Sequence, residues 1–498
     1  MPVNAGGILG ALLLKDTSIS LEEEITGMAY HTDDIKPGCL FFALPGTRYH
    51  GWKYALQAVE KGARAVVVDR DAPEMQLPLV RVPDVRLALA VAAEVFYGQP
   101  SSKIRILGVT GTNGKTTTTH LINSILEHAG YSTGMLGTLQ YRIGQERIPP
   151  VATTPEASDL QHLLCCMAER EINYGVLEVS SHALEWKRVT GIDFDVAVLT
   201  NITGDHLDFH GDFDSYLAAK TSLFARMGSS FLGQGKPRAA VLNSDDNSFE
   251  HIRRMAVPQV VTYGINEFSD VAVSRVQVDR ERTEFKVDTF AGSTDISLKL
   301  RGKFNVYNAA AATAAALVEG IDLQLVKEAL EQVEGIPGRF EKVEAGQDFT
   351  VLVDYAHTAD GLKNVLQTAR GLLRGGGRLI TVFGCGGDRD SEKRPLMGGI
   401  AGRYSDICII TSDNPRSEEP ASIIKEVVPG VAEILDCNFY REVADREKAI
   451  WEAIEIAKME DVVLIAGKGH EETQVFKDRV VPFSDREVAR KAVESMKN

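Results

Sequence analysis

A chain of 498 residues is long enough for about three domains of roughly 150 residues each, with ample buried core. Charged residues make up 25% and apolar residues 44%, with no apolar run of spanning length, which argues against a membrane-spanning protein. The formal net charge of −15 argues against a general nucleic-acid binder, which needs a broad basic surface.

In chain order, the apolar stretch at residues 8–14 has no basic residue before it, so an early helix of the fold is expected rather than a secretion signal. Glu22, Glu23 and Glu24 read as a solvated helix face. Apolar runs bounded by turn signals predict strands at 65–68, 104–109, 175–179, 196–199 and 239–242. Further runs follow at 350–353, 379–383, 407–411 and 462–466, most of them separated by helix-length segments. Such alternation, with runs apolar on both faces, predicts an α/β fold of parallel sheets covered by helices on both sides. Residues 270–300 alternate polar and apolar in places, as in Thr283-Glu284-Phe285-Lys286-Val287, and predict antiparallel strands attached to the middle unit. Punctuation at Gly98-Gln99-Pro100-Ser101-Ser102 and at Gly335-Ile336-Pro337-Gly338 divides the chain into units 1–102, 103–337 and 338–498.

The segment Gly108-Val109-Thr110-Gly111-Thr112-Asn113-Gly114-Lys115-Thr116-Thr117 lies between a predicted strand and a helical pattern through Leu121, Ile125 and Leu126. Glycines there let backbone N–H groups close on phosphate oxygens, and the following helix presents its positive end to the same anion. Lys115 is placed to reach the outer phosphates and the Thr116 hydroxyl to meet a magnesium ion. Val109 stands where the strict motif has its first glycine, so what remains is G-x-x-G-K-T. Glu178 ends a strand and is followed by Ser180-Ser181-His182, which puts a carboxylate at the ligand-binding edge of a parallel sheet. The strand at 196–199 ends in polar residues that include Asp205, His206 and His210. Magnesium favours oxygen ligands and keeps several waters, which suits Thr116 and Glu178; for His206 a metal contact and a capping role stand side by side. Zinc spacing is absent apart from the His206/His210 pair. The six cysteines contain no C-x-x-C pair and predict free thiols in a reducing cytoplasm.

Several of these motifs, in order, resemble the Mur ligase family. They are residues 108–117, Thr153-Thr154-Pro155, Glu178-Val179-Ser180-Ser181-His182, residues 201–210, Phe304-Asn305-Val306-Tyr307-Asn308 and Asp354-Tyr355-Ala356-His357. Gly384-Cys385-Gly386-Gly387-Asp388-Arg389-Asp390, Lys393-Arg394-Pro395, Asp413-Asn414-Pro415-Arg416 and Gly467-Lys468-Gly469-His470-Glu471 resemble the members that add the third peptide residue.

The resemblance implies three domains: an N-terminal one for a uridine nucleotide, a central P-loop ATPase and a C-terminal Rossmann-like domain. It implies ATP-dependent amide formation, in which UDP-N-acetylmuramoyl-L-alanyl-D-glutamate is activated as an acyl phosphate and joined to meso-2,6-diaminopimelate, in peptidoglycan precursor synthesis. ATP is the cosubstrate, held by Thr110, Gly111, Thr112, Asn113, Gly114, Lys115 and Thr116 with Asn305, Arg339 and Asp354. By the same resemblance Lys220, which its own helix pattern would leave facing solvent, is carbamylated by carbon dioxide and joins Thr116, Glu178 and His206 around magnesium. Thr32, Thr153, Thr154, Ser180 and Arg188 are implied for the UDP-substrate. Arg389, Asp413, Asn414, Pro415, Arg416, Gly467 and Glu471 are implied for the diamino acid, with Arg416 facing the far carboxylate that lysine lacks.

The chain departs from the family pattern at Asp33, which reverses a charge, at Trp186, which replaces a glutamine, and at Ala359, which replaces a proline. L-lysine or another diamino acid as substrate, a paralogue with altered UDP-substrate specificity, a folyl-type ligase and a non-catalytic nucleotide-binding scaffold are the competing readings. A cytoplasmic monomer without a nucleic-acid partner is expected.

Overall fold

The computed structural model describes residues 3–12, 15–46, 50–228, 232–233, 235–265 and 268–496. Three α/β layers follow one another along the chain, each built on its own sheet. The first sheet orders its strands Asp16–Thr17, Leu79–Val82, Ala65–Asp69, Leu40–Phe42 and Met28–Ala29. Eleven strands form the second sheet, whose parallel centre runs Thr133–Leu136, Tyr174–Glu178, Arg105–Thr110, Val196–Leu199, Ala239–Asn243 and Gln259–Gly264. The third sheet runs Glu341–Lys342, Thr350–Asp354, Val462–Ala466, Leu379–Phe383, Ile407–Thr411 and Tyr440–Val443, and only its first strand is antiparallel.

All nine strands predicted from apolar runs are present, because such runs bury both faces. In Arg105–Thr110, Leu107 and Val109 enter one layer with Leu121, Ile125 and Ala312, while Ile106 enters the other with Leu160, Leu164 and Phe224. In the third sheet Leu379 and Phe383 pack with Leu366 and Met397, and Ile380 and Val382 with Ile450 and Ile454. The alternating segment forms the meander Val271–Val278, Thr283–Thr289 and Gly292–Leu298, which continues the second sheet through a short parallel pairing of Tyr263 and Gly264 with Val271 and Ala272.

Two local expectations change. The early helix is Ala5–Gly10, shorter than the apolar stretch, of which Leu13 and Leu14 lie outside the described residues. The acidic triplet is not helical: Glu24 begins the strand Glu24–Ile25, which pairs with Val3–Asn4, and Glu23 meets Arg64. No helix among the described residues is long and apolar enough to cross a membrane. All six cysteines are free.

A buried ion cluster fixes the start of the strand that carries the phosphate loop. Arg105 lies 2.9 Å from both Asp195 Oδ1 and Glu319 Oε1, and no side chain of the three is more than 4% exposed. Removing the guanidinium leaves the two buried carboxylates to more distant cations, Arg238 at 3.7 Å from Asp195 and Lys236 at 3.6 Å from Glu319. Arg105→Ala is therefore expected to destabilise the central layer by about 3–5 kcal/mol. A lower first transition in a thermal melt checks this, and an unshifted melt contradicts it.

Candidate functional site

Three neighbouring parallel strands, Tyr174–Glu178, Arg105–Thr110 and Val196–Leu199, end at one level, with Glu178 opposite Val109 and Leu199 opposite Thr110. Their following loops therefore meet at one edge. Gly111 turns at φ +144°, and a β-carbon there would stand 1.9 Å from Thr200 Oγ1. Gly114 turns at φ +87° and would clash with Asn308 Oδ1. The helix Lys115–His128 starts without a side-chain cap, so its first N–H groups are available to an anion. Lys115 Nζ donates to the carbonyls of Gly111 and Thr112, both at 2.9 Å, and burial lowers its pKa.

Glu178 is 1% exposed and held by neutral donors alone. The Thr138 N–H donates to Oε1 at 2.9 Å, and the hydroxyls of Thr138 and Thr116 donate to Oε2 at 3.0 Å each. His206 takes a left-handed backbone, φ +57°, ahead of the helix Leu207–His210, and its Nε2 lies 3.3 Å from Asp205 Oδ2. Burial lowers its pKa and favours neutral imidazole. His182 stacks on Phe209 with centroids 4.1 Å apart and meets His206 edge-on at 4.6 Å.

Lys220, read from its own segment as a surface lysine, is 1% exposed. Its Nζ donates to Gly111 O at 2.8 Å and lies 4.7 Å from the centre of the Tyr216 ring. Burial, reinforced by the nearby Lys115 charge, holds its pKa well below the usual lysine value. Among the described residues no group of three or more His, Cys, Asp and Glu side chains is arranged to hold a metal by itself.

Thr112, Asn113, Gly114, Lys115, Thr116, Glu178 and His206 line a cavity of about 1220 Å³, whereas Thr110, Gly111 and Lys220 are not part of its lining. Thr153, Thr154, Ser180 and Arg188 line it as well. Thr154 Oγ1 donates to Glu178 O at 2.7 Å, Ser180 caps the helix Ser181–Glu185, and Arg188 donates to Thr154 O at 2.9 Å. Two guanidinium groups lie over the Trp186 indole, that of Arg188 at 4.9 Å and that of Arg86 at 4.8 Å from the ring centre. Both arginines also meet Glu156. Thr32 does not line the cavity; Lys61 donates to its carbonyl and pairs with Asp33, whose side chain is 94% exposed.

The third layer contributes Arg339, Asp354 and Arg389 to the same cavity. Arg339 donates to Thr116 Oγ1 at 2.9 Å and stacks over Tyr355, so it bridges layers, and its charge favours the ionised form of Asp354. Asp354 accepts from the N–H groups of Phe340 and Ala356 at 2.6 and 2.7 Å, and burial pushes it up to about 6. Asn305 is buried, donating to Arg301 O and accepting from Asn308, which lines the cavity in its place.

Asp413, Asn414, Pro415 and Arg416 follow the strand Ile407–Thr411, but with Gly467 and Glu471 they stand outside that cavity's lining. Asp413 Oδ1 accepts from the Asn414 N–H, while its buried Oδ2 has no hydrogen-bond partner among the described residues. Gly467 makes room for this carboxylate, since a β-carbon would stand 2.5 Å from Oδ2. Arg416, half-buried, donates to Gly387 O at 2.7 Å and forms no ion pair among the described residues.

Nothing in the sequence pointed to Thr138 or Arg86 at this site. Thr138 follows the strand Thr133–Leu136, whose single glycine and threonine masked it as an apolar run.

Comparison with known proteins gives three matches along the chain. Residues 24–97 match the Mur ligase family, catalytic domain; residues 109–316 match the Mur ligase middle domain; residues 338–469 match the Mur ligase, glutamate ligase domain. A UDP-N-acetylmuramoyl-L-alanyl-D-glutamate--2,6-diaminopimelate ligase of Syntrophomonas wolfei is 48% identical over 483 residues, 96% of this chain and 97% of the relative. One of the same name from Clostridium botulinum is 41% identical over 495 residues, covering 97% and 99%. A solved structure with that name is 30% identical, with TM-score 0.67 and full coverage of both chains. The MurF ligase of Thermotoga maritima in complex with ADP shares the fold at 18% identity and TM-score 0.62, covering 94% and 96%. The chain belongs to the Mur ligase family.

Proposed function

We propose that this chain is the ATP-dependent ligase that joins meso-2,6-diaminopimelate to the glutamate carboxyl of UDP-N-acetylmuramoyl-L-alanyl-D-glutamate, a step in peptidoglycan precursor synthesis. One observation carries the reading: this chain sets an acid at a strand end beside its phosphate cradle and carries Arg416 in its third layer, and relatives that bear this name match it over nearly the whole length at 41–48% identity. Residues 1–102 would hold the UDP end, 103–337 the ATP and 338–498 the amino acid, in a cytoplasmic monomer. The glutamate carboxylate attacks the γ-phosphorus of ATP, ADP leaves, the amine attacks the acyl phosphate, and inorganic phosphate is released with one proton lost from the amine. Lys115 neutralises charge moving onto the departing ADP, and Thr153, Thr154, Ser180 and Arg188 orient the carboxylate substrate. Arg339 and Asp354 would bind phosphate and ribose.

Magnesium fits the donors present. Thr116 and Glu178 would hold it together with phosphate oxygens, and Glu178 has only neutral hydrogen-bond partners to compete with. When bound, the ion supplies positive charge against the phosphates. His206 and a carbamate on Lys220 would complete a second position. The buried Lys220 amine is disposed to be neutral, the form that attacks carbon dioxide, and the resulting anion would lie near Lys115.

Lys220→Ala is expected to lower turnover by about 100-fold or more, with partial recovery on adding a short carboxylate such as acetate; undiminished activity in its absence refutes the carbamate. Specificity is tested with purified protein, ATP, magnesium and the UDP-dipeptide, offered diaminopimelate or lysine, with products weighed. Diaminopimelate is expected to be the substrate used. Arg416→Ala should lower kcat/KM for it by about 30-fold or more while leaving residual lysine use unchanged. Equal use of lysine by the intact protein overturns the specificity.

A further inference from the structure

We infer that Lys468 is a positioning residue for the amino-acid site: its ammonium fixes the orientation of the Asn414 amide and of the Glu471 carboxylate. The inference rests on the function proposed above and concerns a side chain to which that reading gives no task.

Lys468 is completely buried, an unusual place for a lysine without a specific partner. Its Nζ donates to Asn414 Oδ1 at 3.0 Å and to Glu471 Oε2 at 2.6 Å. Asn414 Nδ2 donates to the same Glu471 Oε2 at 2.8 Å, which closes a triangle of three side chains. The N–H of Val475 also donates to Asn414 Oδ1, at 3.0 Å. Two donors therefore converge on the amide oxygen, and a flipped amide would turn its NH₂ toward an ammonium and an N–H. With both donors on Oε2, Glu471 keeps Oε1 for an incoming ammonium group.

The backbones of the two loops are tied independently. Arg446, fully buried and paired with Asp485, donates to Ala466 O at 2.9 Å and Ser412 O at 3.3 Å, the residues just before Gly467 and Asp413. Lys468 is thus needed for side-chain orientation, and the loops have another anchor.

The test measures kcat and KM for all three substrates in the full-length protein and in Lys468→Met, Glu471→Gln and the double variant. Lys468→Met should raise KM for diaminopimelate by about 10- to 100-fold, the loss of one charge-assisted hydrogen bond, with KM for ATP and the UDP-dipeptide within about twofold of the parent. Because Lys468 acts through Glu471 and Asn414, the double variant should lose less than the product of the two single losses. Multiplying losses, or a rise in all three KM values, overturns the inference and makes Lys468 a general support. If Lys468→Met does not fold, Lys468→Gln, which keeps a donor without the charge, should give a smaller rise confined to diaminopimelate; an unchanged KM overturns the proposal. Failure of the unaltered protein to use diaminopimelate would instead sink the functional reading, so the two failures are distinguishable.

Discussion

The site depends on the register of three parallel strands. With Glu178 beside Val109 and Leu199 beside Thr110, the strand ends lie level and their loops have one place to go. The phosphate loop, the acid and the polar segment around His206 are brought together by hydrogen bonding between strands before any of their side chains interact. Such an edge is where ligands meet open α/β sheets, because helices cover the faces and loops alone surround the ends.

One backbone carbonyl then organises the charge. Gly111 O accepts from both Lys115 and Lys220, a half-buried and a fully buried lysine on different helices. Burial disfavours the charged form of each, and at Lys220 the neighbouring Lys115 charge adds to the effect. Positive charge crowded at one buried edge favours an anion opposite it. The acids on the adjoining loops, Glu178 and Asp205, remain near enough to favour the charged form of Lys115.

Much of this was legible in the sequence, for reasons that differ by residue. The strands announced themselves because a strand buried on both faces must be apolar throughout, and the loop announced itself because its glycines have no substitute. Lys220 was harder. It sits in a buried stripe with Tyr216, Leu223 and Phe224 at helical spacing, a pattern visible in the sequence, yet a lysine in such a stripe is normally discounted. The acidic triplet misled in the opposite way: local charge suggested a helix, and pairing with a distant strand overrode it. Arg86 and Thr138 had no local signal, since Arg86 acts through a contact between separate layers and Thr138 through one between neighbouring strand ends far apart in sequence. Asp33, alarming as a reversed charge, proves to be a solvent-exposed partner of Lys61.

The tight approach of Gly111 to Thr200 has a mechanical side. A loop that cannot accept one extra carbon beside its neighbouring strand cannot slide along it either, so the phosphate seat behaves as an anvil. Over it the Arg339 guanidinium holds a hydroxyl and an aromatic face, and its charge is also felt by the buried Asp354, so the third layer meets this seat through one cation.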